Sequence, residues 1–265
     1  MEHLVAYIDG IGWWSPGNAD WDSARQLLRG EDPHEDSPAP AVVAAVLAPN
    51  ERRRAPESVR LACDVAAQAC SMAGCEPSRL PCVFASALGD VATTDAICAT
   101  LASEPLQMSP TRFHNSVHNA AVGYWTIAAQ CRAPSSAIAA ADGSFAAGLL
   151  EATVQAHADA TPVLFAAYDI AASGALVDVV DNSAPFATAL VIRHERGPHT
   201  RASLHLRHTA DASGSSAVAP ALAELAATNH IAAALPLFAA LAGAPPMTLA
   251  LYSGVGSTLS IEVRA

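Results

Sequence analysis

The chain has 265 residues, enough for one large domain or two small ones and for a sizeable core. Apolar residues make up 52% and charged residues 15%, a balance that fits an α/β protein with a large interior or an extensive subunit interface. A formal net charge of −11 argues against nucleic acid and anionic membrane surfaces as partners, and no uncharged apolar run is long enough to cross a bilayer. In chain order, residues 4–12 alternate and end in glycines, as a buried strand entering a turn. The stretch 20–30 predicts a short helix closed by Gly30, and the acidic, Pro-rich stretch 31–40 predicts a surface loop. A stronger helix is expected over 56–72: Pro56 and Glu57 suit its first turn, Ala62, Val65, Ala66, Ala69 and Ala73 make one apolar face, and Gly74 stops it.

Residues 82–86 form a compact predicted strand and 92–103 a helix. The segment 105–119 reads as a loop, followed by an Ala-rich helix to Cys131. A strand, a tight turn of small residues and a helix reaching about His157 come next, then strands over 162–168 and 186–193. Residues 195–265 read as a second, shorter unit: a strand over 203–208, helical stretches over 217–228 and 231–242, and a strand–turn–strand over 247–263 with Gly254-Val-Gly256-Ser257 as the turn. The pattern predicts a layered α/β fold with residues 1–195 as one half and 196–265 packed on it as a smaller one.

Six cysteines (Cys63, Cys70, Cys75, Cys82, Cys98 and Cys131) contain no C-x-x-C pair and sit in apolar runs, as buried reduced thiols do. No basic, apolar or cleavage region marks a secretory leader, so a cytoplasmic protein is expected. His114 and His118 are four apart, but Asn115 stands where a zinc hydrolase places its acid and a third ligand is not evident, so no metal is expected. Gly10-x-Gly12 lacks the third glycine of a dinucleotide fingerprint, and no cofactor is expected. The strand–turn–helix over 134–151 presents one side chain at a helix N-terminus, where the macrodipole favours an anion. Asp142 reads there as an N-cap whose carboxylate accepts an amide of the first turn, the alternative being a functional anion. Ser144 lacks the G-x-S-x-G spacing of a nucleophile elbow and reads as a small residue permitting close packing.

Several segments in order resemble a β-ketoacyl synthase of the thiolase superfamily: Tyr7-Ile-Asp-Gly-Ile-Gly-Trp-Trp-Ser-Pro-Gly17, residues 21–30, Glu51-Arg-Arg-Arg54 leading into the 56–73 helix, 83–89, 109–123, and Tyr252-Ser-Gly-Val-Gly-Ser257. The pair Ser-Pro-Thr-Arg-Phe-His-Asn-Ser-Val-His-Asn and Asp-Gly-Ser-Phe-Ala-Ala-Gly-Leu-Leu-Glu-Ala is similar in particular to the short chain-length-factor subunit of aryl polyene and related pigment clusters. The resemblance implies a thiolase-like layered fold with a complete N-terminal half and an abridged C-terminal half. In that family the turn before the 144–157 helix carries a nucleophilic cysteine, whose thiolate the helix dipole favours. Counting from Ile138 puts this position at Asp142 and counting from Gly148 puts it at Ala140; no cysteine follows Cys131. The family's two catalytic histidines lie in glycine-flanked motifs of the second half, and none of His199, His205, His208 and His230 stands in one.

No catalytic residue is therefore expected, only a degenerate nucleophile turn of Ala140, Asp142 and Ser144. The resemblance implies a partner subunit for a catalytic β-ketoacyl-ACP synthase, meeting the acyl carrier protein through the complex and walling the end of the acyl tunnel. It also implies that Arg112, Phe113, His114, Ser116, His118 and Asn119 belong to the interface loop; they either line or cap the tunnel or merely pack the interface. The alternatives are a stand-alone homodimeric acyl-thioester transferase or hydrolase using a non-cysteine residue, and a stabiliser without influence on length.

Overall fold

The computed structural model describes residues 4–31, 40–210, 216, 218, 220–244 and 247–264. In chain order the elements are β1 (Leu4–Trp14), α1 (Trp21–Leu28), α2 (Pro49–Arg54), α3 (Glu57–Ala73), β2 (Cys82–Ala85), α4 (Val91–Ser103), α5 (Pro110–Asn115) and α6 (Ala120–Ala128). There follow β3 (Ser135–Ile138), α7 (Ser144–Ala158), β4 (Val163–Asp169), β5 (Phe186–Arg193), β6 (Ala202–Thr209), α8 (Ala223–Thr228), α9 (Leu235–Leu241), β7 (Thr248–Gly254) and β8 (Ser257–Arg264). The strands form one eight-stranded sheet in the order β3-β2-β4-β5-β1-β6-β8-β7. β2 runs parallel to β3 and β4, and the remaining pairings are antiparallel.

Alternation along the strands makes two cores, because successive side chains leave opposite faces of a sheet. Ile8, Trp13, Val83, Phe165, Phe186 and Leu190 point to the face covered by α1, α7 and α9. Cys82, Phe84, Leu164, Tyr168, Ala189 and Val191 point to the face covered by α3 and α6. Strands buried on both faces read as continuous apolar runs, as β4 and β5 do. On the first face Trp13 meets Phe186 and Phe238 edge-on at centroid distances of 4.8 and 5.4 Å, tying α9 to β1. On the second, α3 lies so close to β1 that a Cβ on Gly12 would sit 1.9 Å from the Val65 carbonyl oxygen. Close helix–strand contact, not nucleotide binding, accounts for Gly10-x-Gly12.

A register shift between Ile8 and Gly10 marks a bulge at Asp9, which is buried. Its carboxylate lies 2.6 Å from Arg193 Nε, an ion contact without hydrogen-bond angles, and accepts the Thr200 hydroxyl at 2.9 Å. This cluster ties β1 and β5 to the chain entering β6.

Several expectations need correction. Residues 105–119 are not a loop throughout: α5 starts at Pro110, with Ser109 Oγ accepting the Arg112 N–H at 3.4 Å. The helix expected over 231–242 begins as a 3₁₀ turn (His230–Ala234) before α9, and that expected over 217–228 is a 3₁₀ turn (Pro220–Leu222) and α8; residues 217 and 219 lie outside the described set. The predicted loop 31–40 lies outside it except at its ends. Cys98 is exposed, while Cys63, Cys70, Cys82 and Cys131 are buried thiols. Burial pushes Cys70 and Cys82 up to about 12, which leaves them inert at neutral pH.

Candidate functional site

The site lies where the parallel strands β2, β3 and β4 end, the edge at which open α/β sheets bind ligands. β3 runs into a 3₁₀ turn (Ala141–Gly143), and α7 begins at once. Ala141 is the strained residue of the turn, with φ at +47°, a region costly for any residue carrying a Cβ. It falls between the two positions obtained by counting, Ala140 and Asp142. Ser144 braces the strain: its buried hydroxyl donates to the Ala141 carbonyl at 2.7 Å and accepts the Ala140 N–H at 2.9 Å. Below the turn, a Cβ on Gly143 would stand 3.0 Å from the Ser253 carbonyl carbon, so the end of β7 packs directly on it. A Cβ on Gly148 would clash with Phe165, which seats α7 against β4.

Asp142 is not the N-cap expected of it. The 3₁₀ turn places Gly143 at that position, no side chain caps α7, and the Asp142 carboxylate reaches across to His230. His230 Nδ1 lies 2.6 Å from Asp142 Oδ1, with the Asp142 side chain 69% exposed and His230 25%. The pairing spans 88 residues, and only the fold brings it together.

Behind the pair lies a buried polar network. The Ser86 hydroxyl donates to Asp169 Oδ1 at 2.5 Å, the Leu88 and Ala87 amides donate to the same carboxylate at 3.2 and 3.3 Å, and Gly89 N–H donates to Ser86 Oγ at 2.8 Å. Burial pushes Asp169 up to about 6, with Ser86, the two amides and the charge of His230 opposing the rise. Asn229 donates to the Asp169 and Ala184 carbonyls at 3.2 and 2.8 Å, and Asn182 Oδ1 accepts the His230 N–H at 3.2 Å. His118 Nε2 lies 3.1 Å from the Ser86 carbonyl, so this nitrogen carries the proton.

The interface-loop candidates divide into separate places. His118 belongs to the network, whereas Arg112, Phe113 and Ser116 lie on the outer surface of α5 and the residue after it, Phe113 being 66% exposed. His114 and Asn119 line a groove of about 390 Å³ together with Val46, Leu47, Val117 and Ile127. Leu101, Leu106, Phe113, Val117 and Ile127, close in sequence, are exposed, and the last two of them line the groove. β3, which follows α6, is a terminal strand of the sheet, bonded among the described residues only to β2. Among the described residues no group of metal-ligating side chains is assembled, and no helix is long and apolar enough to cross a membrane.

A strand ending in a strained turn, a long helix beginning at it, and a polar cluster at the ends of parallel strands define a thiolase-like layered α/β fold. Residues 20–240 match the family profile "Beta-ketoacyl synthase, N-terminal domain", and the chain belongs to that family. Its structure is similar to a chain of the ketosynthase (ApeO) in complex with its chain length factor (ApeC) from Xenorhabdus doucetiae, with a TM-score of 0.73 and 23% identity over 97% of this chain and 99% of that one. It is also similar to a chain of the ishigamide ketosynthase/chain length factor (TM-score 0.69, 12% identity, 98% and 99% covered). A chain of AntDE:AntF, a type II PKS acyl-carrier protein in complex with its ketosynthase, gives a TM-score of 0.76 at 12% identity with both chains fully covered. No curated protein matches the chain.

Proposed function

We propose that this chain is a non-catalytic, chain-length-factor-like subunit. It pairs in the cytoplasm with a catalytic β-ketoacyl-ACP synthase and shapes the acyl tunnel during polyene, polyketide or fatty-acid-type elongation. The observation that carries this reading is the turn itself: its strained residue is Ala141, a methyl group where acyl transfer needs a thiol or hydroxyl. Ser144 is no substitute, because it is buried and its hydroxyl proton is held by the Ala141 carbonyl. The likeness to chains from ketosynthase/chain length factor complexes supports a partner role. So does the apolar 101–127 side next to the open edge of β3, since exposed apolar surface and unpaired strand edges are what association covers.

In this reading the 105–140 region meets the ketosynthase, and Arg112, Phe113, His114 and Ser116 line or cap its tunnel, with His118 and Asn119 supporting them. The carrier protein reaches the chain through the complex, and no cofactor takes part. Tunnel depth limits elongation by steric exclusion.

Co-expression with the neighbouring ketosynthase, tagging this chain alone, tests the reading by native mass spectrometry and a condensation assay. A one-to-one complex, active together and inactive as this chain alone, is the expected result. A homodimer that ignores the ketosynthase and condenses acyl thioesters unaided would refute it. Within the complex, Phe113→Ala should lengthen the product without abolishing condensation; unchanged length removes Phe113 from the tunnel.

A further inference from the structure

We propose that the chain, although it carries out no condensation, has a separate hydrolytic activity, in which His230 and Asp142 form a general-base pair acting on acyl thioesters brought to the turn after β3. The carboxylate of Asp142 holds a proton on His230 Nδ1 at 2.6 Å, which leaves the lone pair on Nε2, an atom with no bonded partner among the described residues. The backbone that carries the imidazole is held in place. The His230 amide N–H donates to Asn182 Oδ1, while Asn229 accepts the Ile231 and Ala232 amides at 2.9 and 3.3 Å and donates to two carbonyls. Both asparagines are buried. Burying two amides is costly unless they are bonded, and an ordinary surface ion pair needs no such mounting. Two carboxylates face the imidazole: Asp142 on the turn, in contact with Nδ1, and Asp169 at the end of β4, which its charge reaches.

The step balances without further reagents. Water gives a proton to Nε2 as its oxygen bonds to the thioester carbonyl carbon. Collapse breaks the C–S bond, and the imidazolium returns the proton to the departing thiolate, leaving a carboxylic acid and a free thiol. The substrate class is an acyl thioester of a pantetheine-type thiol, and the activity would clear chains stalled at this subunit.

The test uses the purified full chain, alone and with its ketosynthase, octanoyl-N-acetylcysteamine as probe, and thiol release from about pH 5.5 to 8.5. Release above the buffer blank is expected. His230→Gln should lower it about 100-fold, and Asp142→Asn about tenfold in kcat with KM unchanged. Release equal to the blank, or unchanged in a His230→Gln protein of native circular dichroism, overturns the assignment. Should that variant misfold, Asp142→Asn carries the test, since its carboxylate is exposed: an unchanged kcat overturns the proposal as firmly. A chain that pairs with a ketosynthase and hydrolyses nothing refutes this activity and leaves the partner role standing.

Discussion

Placing a thiol at the strained position tests whether the turn presents its side chain at the helix terminus. The substitution is Ala141→Cys, made with Cys98→Ser so that the exposed native thiol is gone. Ala141 is exposed, so a sulfur adds no crowding. Two effects then act on the new thiol. The N-terminus of α7 favours the thiolate by about 0.5 kcal/mol at an exposed position. The neighbouring Asp142 carboxylate, itself mostly in water, opposes it by about 0.5 kcal/mol. The two nearly cancel, and the thiol should ionise near its ordinary value of about 8.5. Adding Asp142→Asn removes the opposing charge, so this triple variant should ionise about 0.4 unit lower. The rate of alkylation by iodoacetamide against pH reads both values. Identical midpoints in the two variants, or a thiol as unreactive as buried Cys63, would refute the view that this turn aims its side chain at the helix terminus.

Two further substitutions probe the frame around the site. Asp169→Asn should change how stability depends on pH. The folded protein holds the Asp169 proton up to about pH 6, whereas the unfolded chain releases it near 3.8. Between those values the folded state binds more protons, so this group lowers stability as pH rises, by about 3 kcal/mol in all. Urea titrations of wild type and variant should therefore diverge across that window and run parallel above it; parallel curves throughout refute the assignment. Asp9→Asn should cost about 3–5 kcal/mol, because it leaves the Arg193 guanidinium partly buried against an amide at the β1 bulge. A loss below about 1 kcal/mol by denaturant unfolding would show that this ion contact behaves as a surface pair.

The strands were legible wherever burial on both faces makes a continuous apolar run, as in β2, β4 and β5, and α3 announced both its apolar face and its glycine stop. What was missed has local causes. α5 has six residues, too few to display a period, although the Ser109-Pro110 start signal was present. Asp142 was read as a cap because a 3₁₀ turn shifts the helix start by one position, which composition does not reveal. The Asp142–His230 pair joins residues 88 positions apart; the one local hint was Asn229, a capping residue immediately before the histidine. Separating Phe113 on the surface from His118 in the network also required the fold, because both stand in one short segment.

The strain at Ala141 is held in place by the packing around the turn. Ser144 closes the turn, Gly143 admits the end of β7, and Gly148 admits Phe165, so relaxing Ala141 would disturb contacts that hold three strands. If the left-handed backbone is imposed by these contacts, Ala141→Gly should stabilise the protein. Removing the Cβ relieves about 1–2 kcal/mol of strain, and the added freedom of glycine in the unfolded chain takes back about 0.5–1 kcal/mol. The methyl group is exposed and its contacts contribute little. A net gain of about 0.5–1 kcal/mol is therefore expected in urea unfolding. A loss of similar size would mean that the Ala141 side chain is held by contacts of its own, and that the turn is kept for what it touches rather than for the packing beneath it.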